Sequence, residues 1–201
     1  MEGWLATSPW QGVILWVILY TSDYYLTLYA ARQHKSISQI QFEGSIELTP
    51  QFQNDIDHLK PISRRHVILL VVFSIIISVI WWLLNFLGTS WGYLVILGML
   101  LLMEIAVHIR HLRNIFLFQE IHLRGGVDGS ILYRRWFSYQ ISFFDFALFG
   151  GLFLLTAILT GSWFFAGGVI SCFLIAFKHK SLSGKTFQKA NSTSEEKSRS
   201  N

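Results

Sequence analysis

The chain has 201 residues, 52% of them hydrophobic and 14% charged, with a net charge of +4 at neutral pH. Soluble domains carry about 25% charged residues, so this composition argues against a soluble enzyme or binding module. Nor does the positive balance point to nucleic acid: the 16 Lys and Arg residues fall in three blocks, 32–65, 110–135 and beyond 177, each flanking an apolar run. Anionic lipid headgroups at the cytoplasmic face are the fitting counter-charge.

The first apolar run, 10–31, has 22 residues, and about twenty suffice to cross a bilayer core. It has no basic segment before it, contains Asp23, and is longer than the apolar core of a leader peptide, so a retained span is expected rather than a cleaved signal. The link 32–66 follows. Ile40, Phe42, Ile46 and Leu48 hint at a period of two around Glu43-Gly44-Ser45, which predicts a short hairpin or an extended strip. Thr49-Pro50 then reads as a helix N-cap followed by proline at the first helical position. Phe52, Ile56 and Leu59 give that helix one apolar face, to lie at the interface or on the bundle. Asp55 and Asp57 mark its polar side, and Pro61 ends it.

Runs 67–87 and 91–109 come next, joined by an uncharged turn at 88–90. The third run stays helical past the membrane through His122 and breaks at Gly125-Gly126. A new helix, capped by Asp128 or Ser130, is expected to run into the fourth span, 139–159, so that 110–138 forms a cytosolic helical hairpin. Its glycine-rich turn lacks a preceding strand and a Gly-Lys-Ser/Thr, and is read as a plain turn, not a phosphate loop. The fifth run, 163–177, has 15 residues, about 23 Å of helix. It crosses only by thinning the bilayer or borrowing its flanks. Residues 181–201 are polar without apolar period and are expected to be a disordered cytoplasmic tail. There Asn191-Ser192-Thr193, a glycosylation acceptor by pattern, would not meet the machinery. The single cysteine, Cys172, lies within an apolar run and reads as a packing residue.

Short loops rich in Lys and Arg stay cytoplasmic. The expected fold is therefore all-α: a polytopic membrane helical bundle of five transmembrane helices, N-out and C-in, with residues 1–180 as the integral membrane domain of a multi-pass cell-membrane protein. Trp4, Trp10, Trp81, Trp82, Trp91 and Trp163 then fall at the outer interface, and Tyr29, Tyr133, Trp136 and Tyr139 at the inner one. Small residues at four-residue spacing (Ser74 with Ser78, Ala147 with Gly151, Gly167 with Ser171) suit close helix packing. The expected partners are the lipid bilayer, its anionic headgroups and a second copy in a homo-oligomer.

Four ionisable residues lie inside the spans: Asp23, Glu104, His108 and Asp145. A charged side chain at a helix centre costs about 2.5–3.5 kcal/mol on insertion scales, so such groups face the protein interior with a partner. Counting from the nearest Arg at about 1.5 Å per residue puts all three carboxylates about 9–15 Å from the inner boundary. Glu104, His108 and His111 share one stripe of the third span. Trp16, Tyr20, Asp23 and Thr27 share a face of the first, and Ser138, Ser142 and Asp145 a face of the fourth. Convergence of these faces predicts a polar site in the cytoplasmic half, with Asp23, Glu104 and Asp145 as catalytic candidates and Glu104, His108, His111 and Asp145 as ligands for a divalent metal. A metal-dependent membrane enzyme acting on a lipid or isoprenoid phosphate would use such a site, and so would a proton or cation conductor. A scaffold or assembly subunit needs no chemistry: Asp145 would pair with Arg110 or His108, and Asp23 with a tyrosine. His108-x-x-His111 is similar to one histidine box of membrane hydroxylases and desaturases. Those families need several boxes, and His34, His58, His66, His122 and His179 supply none. The sequence alone assigns no activity.

Overall fold

The computed structural model describes residues 2–199; residues 200 and 201 of the expected tail lie outside the described residues. In chain order the elements are α1 (Glu2–Ala6), α2 (Pro9–Lys35), β1 (Ile40–Phe42), α3 (Pro50–Asp57), α4 (Arg64–Phe86), α5 (Ser90–Arg124), β2 (Ile131–Tyr133), α6 (Arg135–Thr160) and α7 (Trp163–Arg199). Five of them (α2, α4, α5, α6 and α7) are long and apolar enough to cross a membrane, in the places of the five apolar runs.

Local chemistry sets the helix ends. The Ser8 hydroxyl accepts from the Trp10 amide, with Pro9 at the first position of α2. Ser63 does the same for α4 through the His66 amide. Gly161 closes α6 in the left-handed conformation, with φ of 65°, which costs a residue without Cβ least. The Glu2 carboxylate crosses from α1 to the start of α7, accepting from the Phe164 amide and the Ser162 hydroxyl. An acid there satisfies otherwise orphaned amides and suits the positive end of the helix dipole.

α5 is the central helix. α2 packs on one side of it and α7 on the other; α4 leans on α2, and α6 on α7. Trp16, Tyr93, Leu97, Leu101, Ala106, Phe146 and Cys172 belong to one buried cluster along this interface. α5 and α7 cross closely: a Cβ built on Gly98 would overlap the Phe164 carbonyl oxygen, and one on Gly167 the Val95 carbonyl oxygen. The outward faces of α4 (Ile68, Ile75, Val79, Phe86) and α6 (Phe144, Leu148, Leu155, Ile158) remain exposed.

The loop-side half departs from the sequence expectation at three points. The alternating strip does not fold back on itself. β1 pairs in parallel with β2, Ile40 opposite Ile131 and Phe42 opposite Tyr133. No helix is capped at Asp128 or Ser130, because Ile131–Tyr133 is this strand and α6 begins only at Arg135. The Arg135 guanidinium reaches the carbonyls of Ser45 at 2.8 Å and of Glu47 and Leu48 at 3.3 Å, while its amide donates to Glu43 Oε2. That clamp holds the first link against α6 and fixes the ladder. The third departure is α7, which remains helical to Arg199 where an unstructured tail is expected from 181. The buried Ser183 hydroxyl donates to the Trp136 carbonyl at 2.9 Å, and Phe187 meets the Trp136 ring edge-on. These contacts seat the polar half of α7 on α6.

α3 forms behind Thr49 and Pro50 as the sequence predicts, although the Thr49 side chain makes no capping bond. Its apolar face, Phe52 and Ile56, packs with Tyr24, Leu28 and Ala31 of α2. On its other side Lys60 and Ser63 both donate to Asp55 at 2.6 Å. These bonds, from Lys60 first, hold the Asp55 carboxyl below the usual carboxylate range. Ser63 thereby ties α3 to the first turn of α4.

Candidate functional site

The stripe on α5 forms as helical spacing requires, and it faces α2. Glu104 is 5% exposed. His108 Nδ1 lies 2.7 Å from the Glu104 backbone carbonyl. A carbonyl only accepts, so Nδ1 carries a proton, and a ring without a second proton offers its Nε2 lone pair to another partner. That partner is Ser22, whose Oγ is 2.6 Å from His108 Nε2 and 3.0 Å from the Leu19 carbonyl. One hydroxyl proton therefore has two acceptors. One turn on, His111 Nε2 stands 3.0 Å from Thr27 Oγ1 and 3.3 Å from Asp23 Oδ1.

Asp23, Glu104 and His108 come together: one ligand atom from each lies within 4.8 Å of the others. Beyond the 3.3 Å approach of His111 to Asp23, the carboxylates are poorly served: among the described residues neither Asp23 Oδ1 nor Glu104 Oε2 has a hydrogen-bond partner. Two carboxylates this close repel each other unless a proton or a cation sits between them. The donor set of two hard oxygens and one imidazole suits a divalent metal such as Zn, Mn or Fe. The Nδ1–H bond to a backbone carbonyl is the arrangement that orients a metal-ligating imidazole.

Asp145 lies elsewhere. Arg113 grips it through both terminal nitrogens, at 2.8 and 3.1 Å, and Arg110 Nε adds a third bond at 3.2 Å. This ion cluster joins α5 to α6. The expected convergence of three carboxylates is thus two carboxylates with one imidazole, His111 alongside, and Asp145 bound to arginine. Ser142, from the same face of α6, is fully buried and bonds His179 Nδ1 at 2.7 Å.

Asp23 and Glu104 line a cavity of about 590 Å³, walled by the five long helices, α3 and the strand pair. Sequence reasoning missed several of its residues. His66, placed in a link by its position, stacks on Tyr20 (centroids 4.5 Å apart) and meets Tyr24 at a tilt (4.6 Å). The two tyrosines one turn apart on α2 were the available signal for a slot of ring width. His179 reaches the cavity from the middle of α7, just beyond the apolar run, a position without periodicity to betray it. Toward the other end of the bundle, Trp16, Tyr93, Leu97 and Leu101 are each at most 2% exposed and belong to the packed core.

Comparison with protein-family models, curated proteins and solved structures gives no match.

Proposed function

We propose that this chain is a multi-pass membrane protein, N-terminus out and C-terminus cytoplasmic, that holds a divalent metal ion at Asp23, Glu104 and His108 and acts as a metal-dependent enzyme on a ligand admitted to the inner-half cavity. The observation that carries the site is the Glu104 carboxylate: buried, with Oε2 unpartnered, on a cavity wall, and grouped with two other ligand-bearing side chains. A lone buried acid would be an expensive defect in apolar surroundings, whereas a cation turns the same group into a ligand. Three protein ligands leave coordination positions for water or a substrate oxygen, which is how catalytic metal sites differ from closed structural ones.

Two further features support the membrane setting. The exposed faces of α4 and α6 are continuous apolar surface, far beyond the patches a soluble monomer tolerates. With five crossings, the charge blocks fall on one side, as the rule for short basic loops requires. A conductor fits less well, because beyond Glu104 the buried side chains of Trp16, Leu97 and Leu101 pack the core.

Elemental analysis of the purified protein tests the site. About one Zn, Mn or Fe per chain is expected, lost in Glu104→Gln and His108→Ala while the circular dichroism stays helical. Wild-type protein that stays metal-free after incubation with each of these ions would overturn the proposal.

A further inference from the structure

If a metal offsets Asp23 and Glu104, the remaining charge of the cavity changes sign. Arg113 is bidentate on Asp145 and so spent. Arg110 shares that carboxylate only through Nε, and among the described residues its two Nη groups have no acceptor. Its side chain is 18% exposed, lies over the Phe146 ring at 4.9 Å, and lines the cavity together with Lys178 and His179. Glu47 is the one acid on that stretch of wall. His179 gives Nδ1 to Ser142, which leaves Nε2 for the cavity. A guanidinium held through Nε with its pair of Nη donors free, beside an exposed ammonium, is suited to an anionic oxygen group of tetrahedral or planar shape.

We propose that the cavity binds a phosphate ester, its phosphate on Arg110 and Lys178 and the rest of the molecule extending toward the metal. This rests on the metal reading above, which supplies the charge balance. Six residues of helix separate Arg110 from Glu104, about 9 Å along α5. The phosphate therefore sits at the level of the first basic residues, where the headgroups of the inner leaflet lie, and the acid–histidine cluster lies deeper. The walls between and around them include Met103, Val107, Ile141, Phe146 and Ile175, which accept hydrocarbon, beside the polar side chains of Thr27, His111, Asn114 and Ser138. A volume of about 590 Å³ is in the range that encloses a drug-sized molecule. The shared chemistry is the phosphate; its source is a membrane phospholipid or a free phosphate.

Calorimetry on metal-loaded protein in micelles tests this with three probes: dihexanoyl phosphatidate, the matching diacylglycerol, and inorganic phosphate. Phosphatidate is expected to bind and the diacylglycerol not to. Binding should weaken about tenfold in Arg110→Gln and severalfold in Lys178→Gln, a factor of ten being about 1.4 kcal/mol. Lys178 is exposed and outside the Asp145 cluster, so its variant keeps the test valid if Arg110→Gln unfolds. Binding of inorganic phosphate with the same dependence, without phosphatidate, assigns the site to free phosphate. If metal binds and neither phosphate does, or if binding ignores both variants, the inference is overturned and the metal reading stands. If no metal binds, both fall.

Discussion

At the scale of single residues, Ser22 is the most instructive. Its hydroxyl covers the one lone pair that His108 could give a metal, and it has a second acceptor, the Leu19 carbonyl, within reach. Metal binding therefore displaces one hydrogen bond, a net cost of about 1 kcal/mol. Ser22→Ala removes that competitor, and zinc affinity measured by competition with a chelator should rise about fivefold, the factor equivalent to 1 kcal/mol. A drop in affinity would mean that Ser22 supports the imidazole instead of masking it. Replacing Glu104 should act oppositely, since it removes a proposed ligand. The residue types and depth of this cluster were legible in the sequence, because an acid inside an apolar run must face inward and helical spacing puts Glu104, His108 and His111 on one stripe. Which acids would meet them was not. Asp145 sits at a matching depth on α6, yet two arginines one turn apart on α5 claim it, and charge pairing between helices leaves no trace in either helix's own pattern.

At the scale of elements, the crossing of α5 with α7 carries the packing. Gly98 and Gly167 each face a backbone carbonyl of the opposite helix, which has no side chain to swing aside. Gly98→Ala and Gly167→Ala should each destabilise the protein by about 1–3 kcal/mol, the usual cost of overpacking. Gly151 is the control: a Cβ there meets nothing within 4 Å, so Gly151→Ala should be neutral or stabilising through helix propensity. Thermal unfolding in detergent separates the three, and equal effects would remove the close crossing from the account. Of the small-residue pairs that spacing singles out, Gly167 with Ser171 contributes its glycine to this crossing. Ser74 and Ser78 return their hydroxyls to carbonyls of α4 itself. Spacing shows which surface a helix can present but not which neighbour takes it. The strand pair was hidden for a related reason. Ile40–Phe42 and Ile131–Tyr133 are each three residues long, too short to register as strands alone, and Arg135 secures them by binding carbonyls some ninety residues earlier. The five long helices needed no such information, since apolar length, Ser caps and terminal glycines all act locally.

At the scale of the whole molecule, orientation decides whether the cavity faces the cytosol, because Asp23, Glu104 and His108, Arg110 and the strand pair all lie in the half that carries the basic blocks. The proposed N-out, C-in arrangement rests on charge alone and is separable from every claim about chemistry. The chain itself provides a clean background for the test: Cys172 is its single cysteine and is fully buried, so it should resist a polar thiol reagent. Gly3 has open space around its Cβ position and belongs to the α1 end, whereas Asp128 lies in the link between α5 and β2. In sealed right-side-out vesicles, a membrane-impermeant maleimide should label Gly3→Cys and spare Asp128→Cys until the bilayer is opened. The reverse pattern would invert the protein and place the cavity on the outer face. The metal and phosphate experiments would keep their meaning, since they read the site in solubilised protein. The leaflet supplying the phosphate ester would change, and with it the argument that Arg110 stands at the level of cytoplasmic headgroups.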